Sequence, residues 1–386
     1  MFCKDYRPRF RVPINSRGVM TLDNSRLIQR ISFLYCIALT SLLVACGGGG
    51  DSASSSAAAI TYTTINNPVA TSSSDYTSLT GIRGVTGSAD VYITGATILG
   101  STYTAQLYKG PLTGGGTYYT MPYPSSTGVT TKNTNSYSVD NLPNGEVHLV
   151  GSYSTTLNAN QQGFIYTGPV INNPTSGFET INFNDAGVYA DVTIPHSVMN
   201  DLVVGGYQSP TGALRAFIYR ISDRRFTTLT VMTDGNIAET AYGVWHNGGT
   251  SYTIAGGYTD ASGKQQAYIL DYDSSSDLTT NATAYTFNNQ PATKTHFEGI
   301  TTNGSGGYYL AGSGEMTSNA ILSALVNITR TSTGFTSTPA WVTVAFPGAT
   351  TQDSNTVYQN NLLGTYSPGP LVLNGYVANV PVGLIK

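Results

Sequence analysis

From residue 60 onward, short segments in which apolar residues alternate with Thr, Ser or Asn recur along the chain. Phe226-Thr227-Thr228-Leu229-Thr230-Val231 and Trp341-Val342-Thr343-Val344-Ala345-Phe346 are examples. Period-two alternation marks a half-buried β-strand, because successive side chains point to opposite faces of a sheet. Between these segments stand nearly continuous apolar runs that end in glycine, such as Leu202-Val203-Val204-Gly205-Gly206 and Tyr252-Thr253-Ile254-Ala255-Gly256-Gly257. A third type follows, with an Ala or Gly before an aromatic: Gly163-Phe164-Ile165-Tyr166, Ala216-Phe217-Ile218-Tyr219 and Ala267-Tyr268-Ile269-Leu270. Aligning the glycine that ends the second segment gives Gly95, Gly151, Gly205, Gly256, Gly312 and Gly375, at intervals of 56, 54, 51, 56 and 63 residues.

Each copy resolves into four segments, the first near Thr80, Tyr137, Tyr189, Tyr242, Phe297 and Tyr358. Four strands of about 5 to 7 residues with hairpin turns fill roughly 50 residues, the length of a propeller blade. Turns such as Asp260-Ala261-Ser262-Gly263 and Pro210-Thr211-Gly212 fall between the second and third segments and offer glycine for positive φ. The sixth copy reads Tyr358 to Leu363, Pro370 to Gly375 and Val382 to Lys386, and has no fourth segment. An unmatched segment of the fourth type, Ile60 to Asn67, lies at the other end. Pairing it with Val382 to Lys386 closes the ring and removes two exposed sheet edges. The expectation is an all-β, six-bladed β-propeller over residues 60–386, closed by its N-terminal strand.

The Gly-Val or Gly-Ile segment, the apolar-Gly segment and the Ala-Phe or Ala-Tyr segment together resemble the bacterial extracellular HAF-type repeat. The histidine of that signature is replaced here by Gln162, Arg215 and Gln266. The resemblance implies an extracellular repeat protein and assigns no chemistry.

What precedes residue 60 changes the composition argument. Arg26 and Arg30 stand before the run Ile31 to Ala45, which ends in Leu43-Val44-Ala45-Cys46 and is followed by Gly47-Gly48-Gly49-Gly50. Its fifteen residues fall short of the roughly 20 that span a bilayer core. This resembles a bacterial lipoprotein signal, which implies removal of residues 1–45, acylation of Cys46 with palmitate, and an outer-membrane lipoprotein of the cell envelope. Met20 gives a more ordinary signal length than Met1. Residues 46–59 are small and polar and form a tether. Seven of the 18 basic and two of the 21 acidic residues lie upstream of Cys46, leaving eleven against nineteen, a net charge of −8. That acidic balance argues against nucleic acid as a partner. Cys3 and Cys36 go with the signal, so no disulfide staples the domain and its core must hold it.

Candidate chemistry is sparse. Glycan-hydrolysing propellers need paired carboxylates or an arginine cluster around a Tyr and Glu. Downstream of Cys46 there are five Glu and six Arg, and Arg220, Arg224 and Arg225 crowd one hairpin as a solvated turn. Glu298 is the best single candidate acid, beside His296 and Phe297 at a channel mouth. The histidines His148, His196, His246 and His296 lack metal-ligand spacing. His246 and His296 belong to opposite mouths, and no metal or cofactor is implied. Asp271, Asp273 and Asp277 resemble a calcium loop but lack its fixed Gly and Glu. Aromatics opening the first segments, Tyr137, Tyr189, Tyr242, Phe297 and Tyr358, are the ligand-binding candidates, suited to a sugar or peptide. The functional expectation is a binding or scaffolding module for a glycan, peptide or protein, with a glycan-active hydrolase as the alternative.

Overall fold

The computed structural model describes residues 59–386 except 73, 186, 232–237, 291, 319, 370–371 and 386. Cys46, the signal segment and all but the last tether residue lie outside the described residues. The described chain forms a six-bladed β-propeller of antiparallel sheets. Blade 1 comprises Tyr76–Gly84, Val91–Leu99, Thr102–Gly110 and Thr117–Thr120. Blade 2 comprises Thr131–Asn141, Val147–Thr155, Gln162–Gly168 and Phe178–Thr180. Blade 3 comprises Val192–Met199, Leu202–Gln208, Leu214–Arg220 and Arg225–Thr228. Blade 4 comprises Ala238–Gly248, Ser251–Thr259, Gln265–Asp273 and Leu278–Tyr285. In blade 5, Ala292–Thr302, Gly307–Met316 and Ile321–Thr331 are completed by Ala340–Val344. Blade 6 joins Thr351–Tyr358, Asn361–Gly369 and Val372–Asn379 to Thr61–Thr64 from the start of the chain. The first strand of each blade contacts the first strands of both neighbours, and that ring closes from blade 6 onto blade 1.

The core is divided among the interfaces between blades. In blade 3, Val203 packs toward blade 2 with Val150 and Phe183, while its neighbours Leu202 and Val204 pack toward blade 4 with Val244 and Ile254. A second strand therefore has no solvent face, and for that reason it reads as a continuous apolar run rather than an alternation. The glycine and aromatic that recur along the chain are cross-strand partners. Gly205 pairs with Phe217, and a Cβ on Gly205 would lie 2.7 Å from the Phe217 ring. Gly151 holds Phe164 in the same way. The missing side chain lets the ring lie against the strand, and both rings are fully buried.

Closure uses the expected N-terminal strand with a different partner. Thr61–Thr64 pairs with Tyr376–Asn379, not with Val382 to Lys386; Val382–Leu384 is a 3-10 turn. The blade 6 glycine equivalent to Gly312 is Gly364, on the second strand, which shortens the last interval from 63 to 52 residues. Gly375 lies on the third strand, where Val372-Leu373-Asn374-Gly375-Tyr376 imitates the second-strand pattern. The true first strand, Thr351-Gln352-Asp353-Ser354-Asn355-Thr356-Val357-Tyr358, carries too few apolar residues to show an alternation.

Blade 3 holds a second correction. Its first strand is Val192–Met199, whereas Tyr189 belongs to a two-stranded ribbon, Asn184–Asp185 with Val188–Tyr189. Pro195 disguises the strand, because proline cannot donate to a ladder. It is tolerated next to a bulge, where the register skips from Pro195 to Ser197.

Candidate functional site

Every first strand carries a bulge at the equivalent place, opposite the second-strand glycine. The register skips Thr80, Tyr137, His196, Tyr242 and Asn355 in blades 1, 2, 3, 4 and 6, and Glu298 in blade 5. A bulge leaves one residue out of the ladder and re-aims its side chain. These six polar side chains form a ring at the propeller axis. The Tyr137 and His196 rings are 5.3 Å apart, and His196 and Tyr242 are 4.4 Å apart. Thr80 Oγ1 donates to the Ser136 carbonyl at 2.6 Å, and Asn355 Nδ2 donates to the Leu79 carbonyl at 2.6 Å, tying blades 1, 2 and 6.

The residue after each ring position is small: Gly81, Ser138, Ser197, Gly243, Gly299 or Thr356. A Cβ on Gly81 would sit 2.1 Å from the Tyr137 carbonyl, and one on Gly299 would sit 2.9 Å from the Thr356 Cα. First strands converge here, so the backbone of one blade occupies the space a side chain of the next would need. Ile or Val then follows and enters the interface between blades: Ile82, Val139, Val198, Val244, Ile300 and Val357.

Four ring members, Thr80, Tyr137, His196 and Asn355, line a cavity of about 360 Å³ at the mouth where the first strands begin. Asp353 is the single acidic or basic side chain in its wall; the polar remainder is Tyr, Asn, Ser, Thr, Gln and His196. Burial pushes His196 down to about 3, so its imidazole is neutral at pH 7. Tyr153 is held stacked on Tyr123, with centroids 3.7 Å apart, and both hydroxyls lie 2.8 Å from Thr180 Oγ1. Tyr76 and Tyr103 bring their hydroxyls within 3.1 Å of each other.

Glu298 completes the ring from blade 5. Its Oε1 accepts from Ser313 Oγ at 2.9 Å, and its side chain is 19% exposed. Burial pushes its carboxyl up to about 8, the Ser313 hydrogen bond opposes that rise, and the Asp353 charge adds to it. His296 Nδ1 lies 3.9 Å from the same oxygen. Burial, helped by Lys294, takes His296 down to about 4, so this approach joins two neutral groups at pH 7 rather than an ion pair. Burial, followed by the charge of Glu298, also raises Tyr242 well above the usual tyrosine range. The axis therefore presents hydroxyl, amide, imidazole and carboxylic-acid groups that are neutral at pH 7.

The opposite end is sealed. Arg83 in blade 1 reaches across the axis, donating from Nη2 to the Val198 carbonyl of blade 3 at 3.3 Å. Its Nε is 3.8 Å from Asp140 Oδ1 of blade 2, and its guanidinium lies 5.6 Å from the Trp245 ring centroid of blade 4. Only 9% of Arg83 is exposed.

Of the five aromatics expected at the mouth, Tyr137 and Tyr242 sit on the ring. Phe297 does not: it is fully buried between blades, 5.7 Å from Tyr285 and 6.0 Å from Trp341, and its neighbour Glu298 faces the axis. One residue of slip in a strand exchanges its faces. Tyr358 ends its strand at the sealed mouth, and Tyr189 is 67% exposed on the ribbon outside the blades. His246 and His296 do fall at opposite ends, His246 bonded to the Gly249 carbonyl at 2.9 Å.

The three aspartates that resemble a calcium loop serve different partners. Asp271 accepts from Arg330 Nη1 at 2.8 Å, Asp273 from the Ser275 amide at 2.8 Å, and Asp277 from Arg225 Nη2 at 2.6 Å. Arg220 and Arg225 both reach Asp277, so they cross-link blades 3 and 4 rather than decorating a free turn. Among the described residues no group of three His, Cys, Asp or Glu side chains is placed to hold a metal ion, and no helix is long and apolar enough to cross a membrane.

Alignment on the second-strand glycine misses His196, Asn355, Asp353 and Arg83. The signal that finds the ring is a polar residue followed by Gly, Ser or Thr and then Ile or Val, as in His196-Ser197-Val198 and Asn355-Thr356-Val357. Arg83 stands three positions beyond its ring residue, as Asp140 and Trp245 do in their blades.

No family model and no curated protein matches the chain. Solved structures that resemble it include a luciferin-regenerating enzyme, 14% identical with a TM-score of 0.47, covering 83% of this chain and 96% of that one. A protein of unknown function from Dyadobacter fermentans is 9% identical with a TM-score of 0.49, covering 83% and 99%. An α-L-arabinofuranosidase from Fusarium graminearum is 10% identical with a TM-score of 0.49, covering 84% and 98%.

Proposed function

We propose that this propeller is a non-enzymatic binding module of the bacterial cell envelope, held to a membrane by a lipid on Cys46, and that its open mouth takes a neutral glycan. The wall of the mouth carries this reading: Asp353 is its one charged side chain, set among tyrosine, amide and hydroxyl groups. Such a wall has hydrogen-bonding capacity for a hydroxyl-rich ligand and aromatic faces for its C–H surface, but no cation to hold a carboxylate or phosphate.

The anchor reading also gives the tether a point of attachment. Tyr358 pairs with Asn361, Asn361 with Asn379, and Asn379 with Thr61, so this row marks the sealed end of blade 6. The tether joins the propeller at that end, opposite the open mouth.

Glycan arrays probed with wild type and Asn355→Ala test the reading. Wild type should retain neutral glycans and the variant should lose them, whereas retention of peptides alone would sink it. Cys46→Ser should abolish palmitate labelling and release the protein from membranes; continued labelling would defeat the anchor.

Glycan hydrolysis is the second reading, favoured by the Glu298 carboxyl, which keeps its proton at neutral pH beside Asp353. It requires turnover of neutral glycosides that Glu298→Gln lowers by orders of magnitude with the fold intact.

A further inference from the structure

The cavity is not centred on the axis. The ring residues of blades 4 and 5, Tyr242 and Glu298, take no part in its wall. Beyond the first strands, its wall comes mostly from blades 1 and 2: Ile98 and Tyr103 of blade 1, and Ser152, Tyr153, Ala159 and Gln161 of blade 2. Tyr103 lies on the third strand of blade 1, and Gln161 immediately precedes the third strand of blade 2. Neighbouring strands are about 4.8 Å apart, so the wall runs about 10 Å outward from the axis. That is longer than one pyranose ring.

The outer part is built as firmly as the inner. The Tyr103 amide donates to Asn133 Oδ1 at 3.1 Å, tying the blade 1 hairpin to the first strand of blade 2. Ile98 and Ala159 are the apolar side chains of this outer wall. Polar groups thus run from the axis outward between two neighbouring hairpins, as far as Tyr103 and Gln161.

Resting on the glycan reading above, we infer that the ligand is a chain of at least two neutral sugar units that leaves the axis over blades 1 and 2. The inner unit lies on Thr80, Tyr137, His196 and Asn355. The next lies on Tyr76, Tyr103 and Gln161. Tyr103 is a specificity-determining residue for chain length and has no part in holding the inner unit.

Calorimetric titration of the purified full chain with β-1,4-linked glucose, xylose and N-acetylglucosamine oligomers of increasing length tests this. In whichever series binds, affinity should rise at least tenfold from one unit to two or three and then level off. Tyr103→Ala should remove that gain and leave the affinity for a single unit unchanged, while Asn355→Ala should weaken every length. Gln161→Ala repeats the measurement if Tyr103→Ala fails to fold. Equal affinity for one unit and for longer oligomers, or equal weakening of all lengths by Tyr103→Ala, overturns the inference and leaves the glycan reading standing. No binding in any series by wild type overturns the glycan reading and the inference with it.

Discussion

Arg83 of blade 1 donates to the Val198 carbonyl of blade 3 across the propeller axis, with Asp140 of blade 2 beside it at 3.8 Å. One buried cation thereby touches three blades and seals one end of the channel. Burial lowers the guanidinium's affinity for its proton, and Asp140 offsets the loss. Among the described residues its Nε finds no hydrogen-bond partner.

Replacing that cation should be costly because Asp140 would be left without a counter-charge. We expect Arg83→Met to lower stability by about 1–3 kcal/mol, measured as a shifted urea midpoint. The Asp140→Asn change added to it should recover part of the loss. A single variant as stable as wild type would show that the seal carries no energy.

The Glu298 carboxyl gives a signed pH dependence. Its folded pKa of about 8 stands above the ordinary value of 4.5, so the unfolded chain ionises first and stability falls as pH rises between those values. His196 and His296, at about 3 and 4, act only below their ordinary value of 6.5. Between pH 6.5 and about 8, wild type should therefore lose more melting temperature than Glu298→Gln. Parallel melting curves for the two proteins across that window would refute it.

Closure predicts a large effect from a small deletion. Removing residues 59–66 strips the partner from Tyr376–Asn379, takes Ile65, which is 2% exposed, out of the core, and uncovers the side of Leu79 that it covers. Apolar area returned to water costs about 25 cal/mol per Å², and the bared edge invites pairing between chains. The expected result is a depressed melting temperature with aggregation on heating. An unchanged melt would mean the ring does not depend on this strand.

The convergence of first strands is testable at one atom. Gly81→Ala places a Cβ 2.1 Å from the Tyr137 carbonyl and 2.6 Å from Thr94 Oγ1. We expect a loss of about 1–3 kcal/mol from forced backbone movement. Gly369→Ala, which meets nothing within 4 Å, is the control and should be nearly neutral.

Much of this architecture was legible along the chain. The glycine interval, the aromatic on the strand after it and the unmatched strand at Ile60 each follow from a local rule: a ring needs a bare backbone to lie on, and a three-stranded blade needs a fourth strand to cover its edge. Those rules reach only as far as a hairpin. They misplaced the last blade because Gly364 and Gly375 sit in equally plausible contexts, and only the pairing of Thr61 with Asn379 separates them.

The ring itself belongs to the other class. A bulge is one extra residue in a ladder, and nothing in Phe297-Glu298 alone states which of the two is left unpaired. Packing decides it: Phe297 fills the interface with Tyr285 and Trp341, so Glu298 is turned to the axis, buried and held neutral beside Asp353 from the next blade. Composition and periodicity determined that the chain is all-β, repeated and closed by its own N-terminal strand, because those properties are written in nearest-neighbour patterns. Which side chains meet at the axis, which end is sealed and which way the cavity leans were decided by blades arriving from positions as distant as Leu79 and Asn355, and no local pattern encodes that meeting.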